Sequence, residues 1–168
     1  MNLSLEAINA KSPYQLIRLT DMSFRFVTDQ GLTYRVGFYA DKYFMPKDAY
    51  HFYIANNEEE HGSHDPKILE VVIAVIEEFF EQESSVMLYV CDPIDQRGAV
   101  RNRLYKMWFL EYAMNHMMTL YSESVSFDGN QYFTGILLRK DNPYHDLILA
   151  DYQEFLRVMP TRYRLATK

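Results

Sequence analysis

The stretch of residues 86–108, VMLYVCDPIDQRGAVRNRLYKMW, decides the fold. Its first six residues form a near-continuous apolar run, which is typical of a central strand that is covered on both faces. Asp92 and Pro93 end this run. Over residues 98–115 the apolar residues then follow a helical pattern. The stretch therefore predicts a strand, a short connection and a helix.

Two β-hairpins are predicted outside this stretch. Residues 23–28 and 32–39 are rich in aromatic and β-branched residues, and the Asp29-Gln30-Gly31 segment between them is typical of a hairpin turn. The runs 119–127 and 131–139 repeat this arrangement around a second glycine-containing turn. Each hairpin supplies two neighbouring antiparallel strands to the predicted sheet.

Two further helices are predicted from their starting residues. Asp65-Pro66 places a capping side chain before a proline at the first helical position, and the helix is expected to run to about Glu83. Asn142-Pro143 repeats this pattern, and that helix is expected to run to about Arg157. Both helices therefore follow a strand after a short polar segment.

These elements define an α+β fold. A strand is predicted at 50–54 and an additional one at 14–20, so the order is β-β-β-α-β-α-β-β-α, preceded by the additional strand. This order indicates a mixed, mostly antiparallel sheet of about six strands with about three helices. The chain length suits one compact domain, predicted over 14–158, between a loose lead-in at 1–13 and a basic tail at 159–168.

Composition argues against several classes of protein. The formal net charge is −6, which is the opposite of the balance expected for a general nucleic-acid binder. The single Cys91 cannot form an internal disulfide, and its apolar surroundings predict a buried, inert thiol. Neither a secretory signal nor an apolar segment long enough for a bilayer is recognisable, so we expect a cytoplasmic protein that does not bind membranes.

The connection after the predicted strand is the first candidate site. Backbone N–H groups at a helix start attract anions, and Arg97 and Arg101 would lie one turn apart on the same side. With Asp92 and Arg103, these residues form a candidate site for a phosphorylated ligand. The connection has no glycine-rich phosphate motif, however, and Asp92 and Asp95 would repel an anion. The alternative is that both aspartates cap the helix and pair with the arginines.

Arg101 distinguishes these alternatives. Helical spacing places it beside Leu104 and Trp108, on the edge of the inward face, whereas Arg103 falls on the other flank, where solvent is expected. A guanidinium that is removed from water needs an acidic partner or a ligand. The nature of that partner therefore separates a structural ion pair from a binding site.

The polar face of the first hairpin is the second candidate site. Alternation places Arg25, Arg35, His51 and Tyr53 on one side of the sheet. Arginine and tyrosine on an open sheet face are typical of surfaces that bind a partner protein, and they could also stack single-stranded nucleic acid. The alternative is an ordinary solvated face of an antiparallel sheet.

No metal site or cofactor is expected, and the sequence identifies no catalytic residues. His61 and His64 lie in the loop sequence HGSHD, which lacks the helical spacing of zinc-binding HExxH, and Asp65 is already explained as a helix cap. The glutamates of the following helix share one edge and are typical of a solvated stripe: Glu70, Glu77, Glu78 and Glu81.

Several motifs together resemble a known family. They are F24-x-F26-x-T28-x-x-G31-x-x-Y34-x-V36-x-F38, D65-P66-K67 with E77-E78-F79-F80, Y89-x-C91-D92 with R101-N102-R103-L104 and W108-F109, and R139-x-D141-N142-P143. The chain resembles a family of small uncharacterised bacterial proteins, a domain of unknown function, over roughly residues 14–157. The resemblance implies a stand-alone protein of the bacterial cytoplasm, and it implies no activity or site residues.

Two functions are compatible with the sequence. The favoured one is a non-enzymatic module that binds another protein or itself, such as an immunity, antitoxin-like or anti-phage accessory protein, because an acidic, aromatic-rich chain carries no recognisable catalytic motif. The alternative is a protein that binds, or acts on, a phosphorylated small molecule or nucleotide at residues 92–101. Binding of nucleic acid through the sheet face is disfavoured by the net charge.

Overall fold

The computed structural model describes residues 1–41, 49–56, 65–81 and 85–166. Its elements follow the order α1 (Leu5–Lys11), β1 (Ile17–Thr20), β2 (Ser23–Val27), β3 (Thr33–Ala40), β4 (Ala49–Asn56), α2 (Lys67–Phe79), β5 (Val86–Cys91), α3 (Gly98–Asn115), β6 (Met118–Phe127), β7 (Asn130–Arg139) and α4 (His145–Ala166). The predicted α+β class is confirmed.

The strands form a seven-stranded sheet in the order β1-β2-β3-β4-β5-β7-β6. β2 is antiparallel to β1 and β3, and β7 is antiparallel to β5 and β6, whereas β4 and β5 run parallel. The sheet is therefore mixed and mostly antiparallel, as predicted. Both predicted hairpins are present, and the additional strand is β1.

The chain divides into two compact units. The first comprises Met1–Tyr39 with Phe52–Glu83, and the second comprises Ala40–His51 with Ser84–Lys168. The sequence predicted a single domain over 14–158. The division passes through β4, whose first three residues belong to the second unit.

In the first unit, helices cover one face of the strands. Phe24, Phe26 and Val36 are buried on that face, and Phe38 stacks on Phe79 of α2 with ring centroids 4.2 Å apart. The expected alternation of apolar and polar residues is present, because every second side chain of β2 and β3 faces the helices. The opposite face carries the exposed Arg25 and Arg35.

The prediction of a loose lead-in at residues 1–13 is wrong, because α1 packs against α2. The hydroxyl of Ser4 caps α1 by accepting a bond from Ala7 N at 3.2 Å, and Ile8 is fully buried. Two glutamates of the predicted solvated stripe hold α1. Glu78 accepts a bond from Ser4 N, and Glu77 pairs with Lys11, both at 2.7 Å.

In the second unit, β5 is covered on both faces, as its apolar run predicted. Leu88 belongs to a core with Tyr152 of α4, and Tyr89, on the other face, contacts Phe109 of α3 with ring centroids 5.6 Å apart.

Two helix ends differ from the prediction. α2 ends at Phe79 rather than near residue 83, and the backbone of α4 continues to Ala166, through most of the predicted tail at 159–168.

Candidate functional site

The connection between β5 and α3 is held close to the end of the strand. A Cβ atom added at Gly98 would lie 2.6 Å from the carbonyl oxygen of Asp92, so only glycine allows this approach. Gln96 has a φ of 60°, in the left-handed region that a non-glycine residue rarely adopts. The first turn of α3 therefore starts directly beside the strand end, as a ligand-binding connection would require.

Both aspartates of the connection bond backbone N–H groups. Asp92 Oδ1 accepts a hydrogen bond from Ile94 N, and Asp95 Oδ1 accepts one from Arg97 N, each at 3.0 Å. The prediction that these aspartates cap α3 is therefore wrong, because their bonds lie within the connection. The two carboxylates stabilise the connection, while the cap residue Arg97 gives α3 no side-chain cap.

Arg101 has the acidic partner that the sequence required. Its Nη1 donates to Asp95 Oδ2, and its Nη2 donates to the carbonyl oxygen of Asp92 at 2.8 Å. Asp92 Oδ1 lies 3.6 Å from Nη2. The hydrogen bond from Arg101 lowers the pKa of Asp95, and burial raises the pKa of the neighbouring Cys91 thiol to about 12.

These contacts use the groups that a phosphate would need. Two backbone N–H groups of the connection donate to carboxylates of the chain itself, and Arg101 donates to Asp95 and to Asp92. The other two residues of the predicted ligand site, Arg97 and Arg103, are exposed. The geometry therefore supports the structural alternative, in which the aspartates and Arg101 fasten strand to helix.

The sheet face of the first unit brings two of its predicted residues together. Arg25 and Arg35 are exposed and directly opposite each other in the antiparallel register of β2 and β3. Tyr53 of β4 is half-buried and lies beside the exposed Tyr39, with ring centroids 6.2 Å apart. This face thus combines two adjacent positive charges with aromatic side chains.

His51 is not exposed with these residues, although the alternation of β4 predicted it on the same face. It belongs to the second unit, its ring is buried, and its Nε2 bonds Asp41 Oδ2. A buried imidazole of this kind cannot contribute to an exposed surface. The exposed face is therefore formed by Arg25, Arg35, Tyr39 and Tyr53 with their apolar neighbours.

Two polar networks were missed by the sequence analysis. In the first unit, the Tyr14 hydroxyl donates to Asp65 Oδ2 at 2.7 Å and accepts from Asp29 N at 3.2 Å, and Lys67 pairs with Asp29 at 2.6 Å. In the second unit, the buried Tyr89 hydroxyl lies within hydrogen-bond distance of Asn102 Oδ1 and Ser122 Oγ, at 3.1 and 3.0 Å. Such partners are distant in sequence, so no local pattern indicates them.

A third missed feature is a row of exposed apolar residues on α3. It consists of Val100, Met107, Leu110 and Met114, which are 50–73% exposed. The opposite side of the helix is buried through Tyr105 and other aromatic residues. Helical spacing predicted the inward side beside Leu104 and Trp108, but it did not indicate the exposed row as a surface, because apolar residues lie on both sides of α3.

Within the described ranges, no three potential metal ligands come together. The loop histidines His61 and His64 lie outside those ranges, and Asp65 bonds Lys67 N and Tyr14. No helix in the described part of the chain has the length and apolar character needed to cross a membrane.

Residues 64–154 match a family of unknown function, DUF6169. The chain belongs to this family. Neither the curated proteins nor the solved structures contain a significant match. The part matched to DUF6169 includes α2, the connection with Asp92 and Arg101, and all of α3, whereas Arg25 and Arg35 precede it. The family match therefore includes the connection and the exposed apolar row on α3, and it does not include the Arg25 and Arg35 strands of the sheet face.

Proposed function

We propose that this chain is a non-enzymatic protein-interaction module of the bacterial cytoplasm, and that it binds an acidic partner protein through the open sheet face of the first unit. The observation that carries the proposal is the direct opposition of Arg25 and Arg35 on exposed neighbouring strands. An immunity, antitoxin-like or anti-phage accessory role is compatible with such a module.

The charge arrangement supports an acidic partner. Like charges directly opposite each other across two strands destabilise the sheet, and a carboxylate placed between them would relieve that repulsion. The strand positions on this face carry neither Asp nor Glu in β2 and β3. The two guanidinium groups can therefore receive acidic side chains from outside the chain.

Apolar and aromatic neighbours support a protein as the partner. Ile17 pairs in register with Arg25 and is 53% exposed, and Val27 and Tyr39 on the same face are 51% and 55% exposed. A surface that mixes arginine, tyrosine and aliphatic side chains is typical of protein interfaces. The net charge of −6 disfavours nucleic acid as the ligand of this face.

A charge-reversal experiment tests the proposal. The tagged wild-type chain and an Arg25→Glu/Arg35→Glu variant are used to capture proteins from the native host, and each captured protein is then purified and titrated against both. We expect the variant to weaken the direct interaction at least tenfold. Lys140→Glu, which reverses an exposed charge in the second unit, should leave it unchanged.

Several outcomes would refute this function. A captured protein that binds the double variant as tightly as the wild type does not use this face. A ligand that is lost on nuclease treatment would show that the face binds nucleic acid instead. If the wild type captures nothing that the double variant does not, the proposed docking face has no partner.

A further inference from the structure

The exposed apolar row on α3 has the spacing of a helix–helix seam. Val100, Met107 and Met114 are seven residues apart, and Leu110 lies three residues after Met107. Positions that alternate by three and four residues form one continuous stripe on a helix. All four side chains are at least half exposed, so this stripe is open to a second helix.

The stripe contains one charged residue. Arg103 occupies the seam position between Val100 and Met107, and it is exposed. Met117, just beyond the end of the helix, continues the spacing and is 67% exposed. From Val100 to Met114 the stripe is about 21 Å long, since an α-helix rises about 1.5 Å per residue.

Two exposed charges flank the stripe on opposite edges. At about 100° per residue, Lys106 lies about 80° to one side of the centre of the stripe and Glu111 about 60° to the other side. In a parallel pair of helices, a residue on the edge that carries Lys106 faces a residue of the partner helix that lies five positions later in sequence, on the opposite edge of the stripe. Lys106 and Glu111 have this separation, so two copies would form two ion pairs.

The same placement opposes an antiparallel pair. Antiparallel helices bring identical edges together, which would place the edge with Lys106 against the edge with Lys106 of the other copy. The glutamates would likewise meet each other. Like charges in contact weaken association, so the charge pattern selects the parallel arrangement.

We propose that α3 is a self-association surface, on which a second copy of this chain packs its own α3 in parallel. This inference does not depend on the sheet face or on its acidic partner. The seam is short, and Arg103 would face its own copy across it. We therefore expect a weak dimer with a dissociation constant of about 1–100 µM.

Sedimentation analysis of the full chain up to 500 µM tests self-association. Leu110→Glu should raise the dissociation constant at least tenfold. Leu147→Glu is the matched control, because Leu147 is an equally exposed helical leucine on α4, at 49% against 50% for Leu110. A wild type that stays monomeric, or a Leu110→Glu variant that dimerises as tightly as the wild type, would overturn the proposal.

Charge reversal tests the pairing of the edges. At low salt, Lys106→Glu and Glu111→Lys should each weaken the dimer several-fold, because each places like charges in contact. An equimolar mixture of the two variants should associate as tightly as the wild type, since every cross-pair is then complementary. A mixture that is as weak as either variant alone would contradict the parallel register.

Cysteine cross-linking tests the orientation directly. In the parallel dimer Met114 faces its own copy, so Met114→Cys should form a covalent dimer under mild oxidation. The natural Cys91 is buried and provides the background. Two outcomes would contradict the parallel arrangement. One is a Met114→Cys variant that cross-links no more than the wild type, and the other is cross-linking that appears only when Arg103→Cys is also present.

Discussion

Replacement of Arg101 by alanine should destabilise the protein by about 2 kcal/mol. The guanidinium makes a charged bond to Asp95 and a second bond to the carbonyl oxygen of Asp92. A hydrogen bond makes a net contribution of about 1 kcal/mol to the free energy of unfolding, and a hydrogen bond to a charged group contributes more. The Arg101 side chain is 30% exposed and that of Asp95 is 49% exposed, so solvent screening reduces the charged bond to about 1 kcal/mol.

Urea denaturation of the purified variants measures this effect. Asp95→Asn should cost about 1 kcal/mol, and the double variant should cost less than the sum of the two single variants, because the same interaction is lost only once. Arg103→Ala is the control and should change the unfolding free energy by less than about 0.5 kcal/mol, since this side chain is exposed.

The pH dependence of the same variants has a defined sign. Arg101 lowers the pKa of Asp95 in the folded protein below its unfolded value of about 4. The stabilisation is therefore fully present above pH 4 and is lost as the pH falls through the folded pKa. The difference between wild type and Arg101→Ala should shrink below about pH 4.

Two results would refute this account of Arg101. The first is an Arg101→Ala protein whose unfolding free energy equals that of the wild type. The second is a wild type that inorganic phosphate or a nucleotide stabilises against heat, with a response that Arg101→Ala abolishes. The second result would make the connection a binding site rather than a structural fastening.

Three further predictions concern other parts of the chain. Gly135→Ala should destabilise the protein by about 2–3 kcal/mol in urea denaturation, because the new Cβ would lie 2.2 Å from the ring of Tyr89, and a smaller side chain at Tyr89 should relieve most of that loss. The Cys91 thiol, with a pKa raised to about 12 by burial, should react with an aromatic disulfide reagent at pH 8 only on unfolding. Tyr14→Phe should lower the melting temperature measurably by removing the bond to Asp65, and an unchanged value would contradict its role.

The sequence predicted those elements whose pattern is local. The β2–β3 and β6–β7 hairpins follow from alternation and glycine-containing turns, and β5 and α3 follow from the composition of one continuous stretch. α1 was missed because it is short and is stabilised by contacts with α2, which lies more than sixty residues later. The length of α4 was underestimated because the basic residues after Arg157 were expected to form a tail, whereas the helical backbone continues to Ala166.

The candidate sites were predictable only where their residues lie close together in the sequence. The sequence correctly required an acidic partner for Arg101. Asp95 lies six residues before Arg101 in the sequence, so this partner was identifiable. His51 is buried and bonded to Asp41, and alternation along β4 indicates which side a residue faces but not whether it is covered. Tyr89 on β5 and Ser122 on β6 come together because both strands flank β7 in the sheet. The order of the strands in the sheet was not predicted.

The exposed side of α3 shows why burial rather than hydrophobicity identifies an interface. This helix carries aromatic residues on one side and methionine, leucine and valine on the other. The aromatic side packs against the sheet of its own unit, through contacts such as those of Tyr105 and Phe109 with Tyr89. The aliphatic side then has no remaining partner among the described residues, although exposing it to water is unfavourable. A second α3 with the same stripe and complementary edges would remove that cost, which links the unexplained apolar surface to the charges of Lys106 and Glu111.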